Sequence, residues 1–309
     1  MEKWIMIVNP ASASDMTEGK WIDSEKQLRE AGLEVEHLLT EHAGHAIELA
    51  GEAAKKGERK FIAVGGDGTI HEVMTGLLRF ADAEKVAMGE FTLAVLPYGT
   101  GNDWIRTSMV PKDLKEAGDC IIAGKTAKED VVRLTFENGV FCMANIGGVG
   151  LDADICYNTN KLKMRGRKGG FLYKMVAPYS IFSKKRQSVE VVCDGEIVHS
   201  GKMFTIVIGN GAYRGGGLLQ NESGSAWDDG KLEVSIMTGV NHFKALSQMM
   251  HVFSGDFATL PGIITRRFRK MTIKPLDDKP DRVESDGEIP GNIPLTVELT
   301  GEQINIIVP

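Results

Sequence analysis

The chain carries Gly65-Gly66-Asp67-Gly68-Thr69 between a short apolar run, Phe61 to Val64, and the residues Ile70, Val73, Met74, Leu77 and Leu78, which recur at helical spacing. Three glycines without a Cβ let main-chain N–H groups come close to a phosphate, and the N-terminus of the helix that follows adds a partial positive charge. A plain strand-to-helix turn capped by Thr69 is the competing reading. Asp67 argues against it, because a carboxylate beside a polyphosphate is repelled unless it binds a metal ion or takes a proton from a nucleophile. Phosphoryl transfer needs in-line positioning, cations that spread charge, and a group that receives the hydroxyl proton. Asp67, Asp103, and Asp286 with Glu288 offer carboxylates for Mg²⁺ and for base duty from three different loops. Taken alone, Asp286-Gly-Glu288 reads as a hairpin turn, and Asp228-Asp-Gly230 as a turn or the seat of a structural ion. Their company in one chain is what favours chemistry.

Parallel strands are the elements that must position these loops. Trp4 to Val8, Glu34 to Leu39, Phe61 to Val64 and Phe91 to Leu96 read as strands. Helices through Trp21, Ile22 and Leu28, through Ala46, Ile47, Ala50 and Ala54, and over Lys112 to Ala123 alternate with them. That alternation predicts a doubly wound parallel sheet whose ligand lies beyond the carboxyl ends of the strands, where Asn9, Thr40, Gly65 to Thr69 and Gly99 to Asp103 fall. From about Glu137 the pattern changes to strands and glycine turns. Glu137-Asn-Gly139 and Asp194-Gly195 read as hairpin turns, and Met203 to Ile208, Leu232 to Met237, Lys270 to Lys274, Leu295 to Leu299 and Ile304 to Val308 as further strands. Helices over Phe171 to Phe182 and His242 to Phe253 interrupt them. The expected fold is α/β: a nucleotide-binding domain over residues 1–133, to which a strand near 300–309 returns, and a β-rich sandwich domain over 134–299, with a cleft between them.

For 309 residues, 42% hydrophobic and 25% charged, a core of ordinary size is expected. A formal net charge of −6 argues against nucleic acid as the main partner. Cys120, Cys142, Cys156 and Cys193 show no C-x-x-C pair, which points to neither zinc nor a disulfide framework and fits a cytoplasmic protein. The longest uncharged run, Asn138 to Leu151, is too short and glycine-rich to span a bilayer. The seven histidines show no ligand spacing with Cys or Glu, and none is assigned to a metal.

Four motifs in order, Gly-Gly-Asp-Gly-Thr69 with Ile-His-Glu-Val73, Leu96-Pro-Tyr-Gly-Thr-Gly-Asn-Asp103, Asp228-Asp-Gly-Lys-Leu232 and Ser285-Asp-Gly-Glu288, resemble the diacylglycerol kinase catalytic-domain family, its bacterial soluble lipid kinases above all. Sphingosine and ceramide kinases share that fold, and NAD kinases and phosphofructokinases have a related glycine turn. The resemblance implies an ATP- and Mg²⁺-dependent transfer of the γ-phosphoryl to a lipid hydroxyl such as that of diacylglycerol. It implies that Asn9, Thr40, Gly66, Asp67, Gly68, Thr69, Ile70, His71, Glu72 and Thr100 hold ATP, with Asn102 and Asp103 lining the cleft. It also implies a structural magnesium ion at Asp229 with Ala226 and Lys231, and a base in the Asp-Gly-Glu turn, matching Glu288 with Asp286 beside it. A kinase for a soluble polar acceptor and a non-catalytic, nucleotide-responsive lipid binder are the alternatives.

Lys161 to Lys168 packs five basic residues into eight, and Lys184-Lys-Arg186 and Arg266-Arg-Phe-Arg-Lys270 add further clusters. They read either as a solvated face or as a patch that docks on anionic headgroups, each cation contributing about 1 kcal/mol near such a surface. The second reading makes the protein peripheral to the inner face of the membrane while it works, and a homodimer is left open.

Overall fold

The computed structural model describes residues 3–12, 20–99, 101–164, 171–184, 186–215, 217–219, 227–251 and 260–309. Thr100 and Ala226, both singled out above, and the second half of the basic run ending at Lys168 lie outside them. The chain divides into two compact units, Met1–Val131 with Gly301–Pro309, and Val132–Thr300.

The first unit is built on strands β1 (Trp4–Val8), β2 (Val35–Leu39), β3 (Lys60–Gly65) and β4 (Thr92–Pro97), joined by the parallel pairs β2–β1, β1–β3 and β3–β4. All five residues of β1 are buried and β3 and β4 are buried after their first residue, whereas β2 at the edge buries only Val35. That contrast explains why three strands are continuous apolar runs and the fourth is a mixed one. Helices α1 (Lys20–Glu30), α2 (His45–Lys55), α3 (Asp67–Glu84), α4 (Asp103–Ser108) and α5 (Leu114–Ala123) connect and flank them. A one-turn 3₁₀ helix, Met88–Glu90, precedes β4. Helices α2 and α3 approach so closely that a Cβ on Gly76 would lie 2.3 Å from the Ile47 carbonyl oxygen. Asp113 caps α5 by accepting from the N–H groups of Lys115 and Glu116.

Strand β5 (Thr126–Phe136) crosses into the second unit, which continues with β6 (Gly139–Met143), β7 (Ile146–Gly150), α6 (Leu151–Met164), α7 (Phe171–Ser183), β8 (Gln187–Cys193) and β9 (Glu196–Gly209). There follow β10 (Tyr213–Arg214), β11 (Leu218–Leu219), β12 (Leu232–Thr238), α8 (His242–His251), β13 (Ile263–Phe268), β14 (Lys270–Pro275), β15 (Arg282–Ser285), β16 (Glu288–Asn292) and β17 (Leu295–Ile307). Here the pairing is antiparallel, in the order β16-β15-β7-β9-β8-β14-β17, with β12 between β9 and β13 and with β5 on β6. Strand β17 leaves the second unit at Thr300, and its last residues pair in parallel with β4 in the first. One core of aliphatic and aromatic residues, including Val132, Leu134, Val191, Ile206, Val234, Phe268 and Val297, fills the sheet side of this unit. A smaller one, with Ile155, Ile181, Phe204 and Ala245, lies under α6, α7 and α8.

Several sequence expectations change. The stretches at Glu196 and at Met203 are one strand, because a bulge at Val198, opposite Val191 and Val192 of β8, and Gly201 at φ 139° absorb the irregularity that looked like a break. Likewise Leu295 to Ile307 is one strand through Gly301. Helix α6 was not expected, since Leu-Asp-Ala-Asp-Ile-Cys-Tyr-Asn has no clean apolar stripe, and neither was β13, whose Arg266 and Arg267 are exposed.

Candidate active site

In the first unit the carboxyl ends of β1, β2, β3 and β4 bring the expected nucleotide residues to one edge. Asn9 follows β1, its Nδ2 donating to Thr69 Oγ1 at 3.2 Å, and Thr40 follows β2, its N–H donating to the Val8 carbonyl. The turn is shorter than the sequence suggested. Strand β3 ends at Gly65, α3 starts at Asp67, and Gly66 alone, with extended backbone, links them. Gly68 and Thr69 therefore stand in the first helical turn, and the N–H groups of Thr69 and Ile70 both return to the Gly66 carbonyl.

The second glycine loop closes on the first. The N–H groups of Tyr98 and Gly99 donate to the Gly65 carbonyl at 2.9 and 3.1 Å, and a Cβ built on Gly99 would lie 2.3 Å from Gly66 Cα and 2.4 Å from Asn102 Oδ1. No side chain fits at Gly99, and this requirement was invisible in the sequence, where the two loops stand more than thirty residues apart. Asp67 ties the loops from the other side: its carboxylate accepts from the N–H of Asp103 at 3.1 Å and of Trp104 at 2.9 Å, the first main-chain donors of α4. Trp104 is itself fixed by a bond from Nε1 to buried Glu129. Burial pushes the Tyr98 phenol up from its ordinary range, so the loop is walled by a neutral hydroxyl that lies 3.4 Å from Ser24 Oγ.

Ile70 and His71 are buried, so their side chains face the core. Glu72 turns to α2, its two oxygens accepting from the N–H groups of Gly44 and Ala46 at 2.8 and 3.2 Å. It caps that helix and fixes the loop after Thr40.

In the second unit, Asp286 and Gly287 form the two-residue tip of the β15–β16 hairpin, both with positive φ (52° and 89°), as a type I′ turn requires. Asp286 is 6% exposed. Its carboxylate accepts from the N–H groups of Ala144, Asn145 and Ile146 at 2.9, 2.8 and 3.1 Å and from the Ser285 hydroxyl at 3.1 Å. Helix α6 holds the tip as well, with Asn160 Nδ2 and Cys156 Sγ donating to the Gly287 carbonyl at 2.8 and 3.1 Å. Glu288, the first residue of β16, is exposed. A pinned hairpin thus presents one carboxylate to solvent and buries its neighbour. The sequence could not reveal the anchors of Asp286, since three consecutive main-chain N–H groups leave no mark in residue type.

At Asp229 the geometry differs from an ion site. One oxygen accepts from the Lys231 N–H at 3.0 Å, and the other pairs with the Arg267 guanidinium. The described residues instead bring together His42, His45 and Glu48, one ligating atom from each lying within 4.8 Å of the others. This corrects the expectation that no histidine has a ligand partner. The signal, His-x-x-His-x-x-Glu over the start of a helix, was present in the sequence. Among the described residues no helix is long and apolar enough to cross a membrane.

Comparison with known proteins agrees with this arrangement. The diacylglycerol kinase catalytic domain matches residues 3–134, and the YegS C-terminal NAD kinase beta sandwich-like domain matches residues 146–308. The chain is 32% identical over 221 residues, 71% of its length and 70% of the relative's, to the probable lipid kinase YegS-like of Enterobacter sp. (strain 638). It is 32% identical over 220 residues to the probable lipid kinase YegS of Salmonella heidelberg (strain SL476), again 71% and 70% of the two chains. A solved structure of a Bacillus anthracis str. Sterne protein ascribed to the diacylglycerol kinases shares the fold, with a TM-score of 0.77 at 24% identity over 100% of this chain and 97% of that one. With a catalytic-domain match over the glycine loops and a β-sandwich match beyond them, the chain belongs to the YegS and diacylglycerol kinase family of lipid kinases.

Proposed function

We propose that the chain transfers the γ-phosphoryl of Mg·ATP to the hydroxyl of a membrane lipid such as diacylglycerol. The observation that carries the nucleotide half is the contact between Gly66 and Gly99 at the carboxyl ends of β3 and β4, which leaves main chain rather than side chains at the edge where a parallel sheet takes its ligand. Asn9, Thr40, Gly66 to Glu72, Thr100 and Asn102 are the proposed ATP residues, with Ile70 and His71 contributing through main chain alone because their side chains are buried. Magnesium would accompany the phosphates and spread their charge. The donors at Asp229 do not fit a cation as arranged, because Arg267 already neutralises that carboxylate, and no step of the proposed transfer runs through a metal there.

Glu288 is the proposed base. A hydroxyl is too weak an acid to ionise at neutral pH, so a carboxylate must receive its proton, and an exposed one on a fixed turn can reach a substrate that a buried one cannot. Asp286 holds that turn in register.

A lipid acceptor is favoured over a soluble one by the surface of α7 and α8. Tyr179, Phe182 and Phe243 are 68%, 50% and 76% exposed, and Phe182 meets Phe243 edge to face. Between Asp154 and Glu190 the sequence has nine Lys and Arg and no Asp or Glu, although the chain as a whole is acidic. Exposed aromatic rings, on a stretch of chain rich in cations, suit the headgroup layer of an anionic membrane, although Lys184 itself is buried and paired with Asp154 and Asp281 and takes no part in such a patch. The test is transfer of radiolabel from Mg·ATP into vesicle-borne lipids against soluble alcohols. Label in the lipid fraction is expected; label confined to soluble alcohols would establish the polar-acceptor reading, and nucleotide binding without transfer to either would establish a binder.

A further inference from the structure

Beside the proposed site, the loop leading into α2 brings together three side chains that ligate metals, and hydrogen bonds fix the tautomer of two of them. We infer that His42, His45 and Glu48 bind a divalent transition-metal ion of the zinc and nickel class.

Hydrogen bonds fix where the imidazole protons sit. His42 Nδ1 lies 3.1 Å from the Ala43 carbonyl oxygen, which can only accept, so Nδ1 carries the proton and Nε2 keeps a bare lone pair. A ring N–H held by a main-chain carbonyl is also how metal-binding histidines are commonly oriented. His45 is fixed in the opposite sense. Its Nδ1 accepts from the Glu41 N–H at 3.0 Å, so this nitrogen is the bare one. Neither ring has to lose a proton to ligate: His42 offers the lone pair of Nε2, and at His45 the metal displaces the Glu41 N–H from Nδ1, a donor at the surface that passes to water. The two rings stack with centroids 4.6 Å apart and planes 16° from parallel, an arrangement that two imidazolium ions would resist.

Glu48 lies one turn further along α2 on the same face as His45, three residues on. Metal–nitrogen and metal–oxygen bonds of about 2.1 Å place tetrahedral ligands roughly 3.4 Å apart, so atoms within 4.8 Å must close by at most ~1.4 Å. His42 and Glu48 are exposed and His45 half-buried, so ordinary side-chain rotation supplies that movement. The positive end of a helix normally disfavours a cation. Here the Glu72 carboxylate already occupies the Gly44 and Ala46 N–H groups, and Glu48 adds a second negative charge in the first turn. Two imidazoles and one carboxylate, with the remaining position open to water, suit zinc, nickel, cobalt or copper in preference to magnesium, which takes oxygen ligands.

The experiment uses the full-length chain without an affinity tag, stripped with chelator, and titrates Zn²⁺ calorimetrically and Co²⁺ by its visible absorption. One site per chain with micromolar affinity is expected, unaffected by millimolar Mg²⁺. His42→Ala, at an exposed position, should weaken binding at least about ten-fold, and Glu48→Gln less, while circular dichroism stays unchanged. Zn²⁺ should raise the Tm of the parent chain but not that of His42→Ala. The site is refuted if no saturation occurs below millimolar metal, or if His42→Ala and His45→Ala both bind as the parent does. Since the readout is binding, the result is independent of whether the acceptor is a lipid.

Discussion

Asp67 and Asp286 occupy comparable places in the two units and differ chiefly in depth. Each is a carboxylate beside a glycine just beyond the end of a strand, and each gives its oxygens to main-chain N–H groups of a neighbouring segment. Asp286 is buried and gathers three such groups and a hydroxyl, whereas Asp67 is half-buried and gathers two, at the start of a short helix. A buried acceptor cannot be lost without stranding its donors, while a half-buried one stands where solvent or a ligand can take part of its place. On the proposed function, the same residue type should therefore report on stability in one unit and on chemistry in the other.

The widest gap between the two should appear in turnover. Asp67→Ala is expected to abolish phosphoryl transfer with a stability loss of only about 1 kcal/mol, that of a helix cap. Full turnover in this variant would reduce Asp67 to a clamp and erase the contrast. Glu288→Gln keeps shape and removes basicity, so kcat should fall by roughly 10² to 10⁴ with ATP binding and Tm unchanged. If Glu288→Gln turns over normally while a folded Asp286→Asn is dead, the base is the buried carboxylate.

Asp286→Ala should instead be read in a melting curve. Three main-chain donors lose their acceptor, at roughly 1 kcal/mol or more each, so stability falls by about 3 kcal/mol. At roughly 2–4 °C per kcal/mol for a unit of this size, Tm drops by about 6–12 °C. An unchanged Tm would mean that water replaces the carboxylate, and that depth is not what separates the two residues.

How much of this was legible follows the same line. Strands β1, β3 and β4 were readable because parallel strands buried on both faces are continuous apolar runs. The β8–β9 turn was readable because Asp194-Gly195 is a residue pair suited to positive φ. Strand β7, Ile-Gly-Gly-Val-Gly, was absorbed into an undivided apolar stretch, and its glycines find their reason only across the sheet: a Cβ on Gly147 would meet the Glu284 carbonyl oxygen at 2.9 Å. In the candidate site, residue type pointed to Asp67, Asp286 and Glu288. It could not show which oxygens are already taken, because their partners are main-chain N–H groups that every residue but proline carries. Nor could it show that Asp229 faces Arg267, a partner thirty-eight positions away.

The glycines of the two turns give the smallest and sharpest comparison. At Gly99 the φ is unremarkable and space is the constraint: an added methyl would overlap Gly66 Cα and Asn102 Oδ1, so Gly99→Ala must push the glycine loops apart, at about 1–3 kcal/mol. That displacement also moves the Asp103 and Trp104 N–H groups relative to Asp67, so ATP affinity should fall along with stability. At Gly287 the constraint is reversed. Nothing lies within 4 Å of an added Cβ, and φ is 89°, so Gly287→Ala costs only the backbone strain of a left-handed conformation, about 1 kcal/mol. Gly287→Asn, whose side chain tolerates that region, should recover much of the loss, whereas Gly99→Asn should be worse than Gly99→Ala. Thermal melts of the four variants decide the matter: recovery by Asn at 287 and not at 99 separates a turn limited by φ from one limited by contact, and equal behaviour at the two positions would show that both glycines answer to the same constraint.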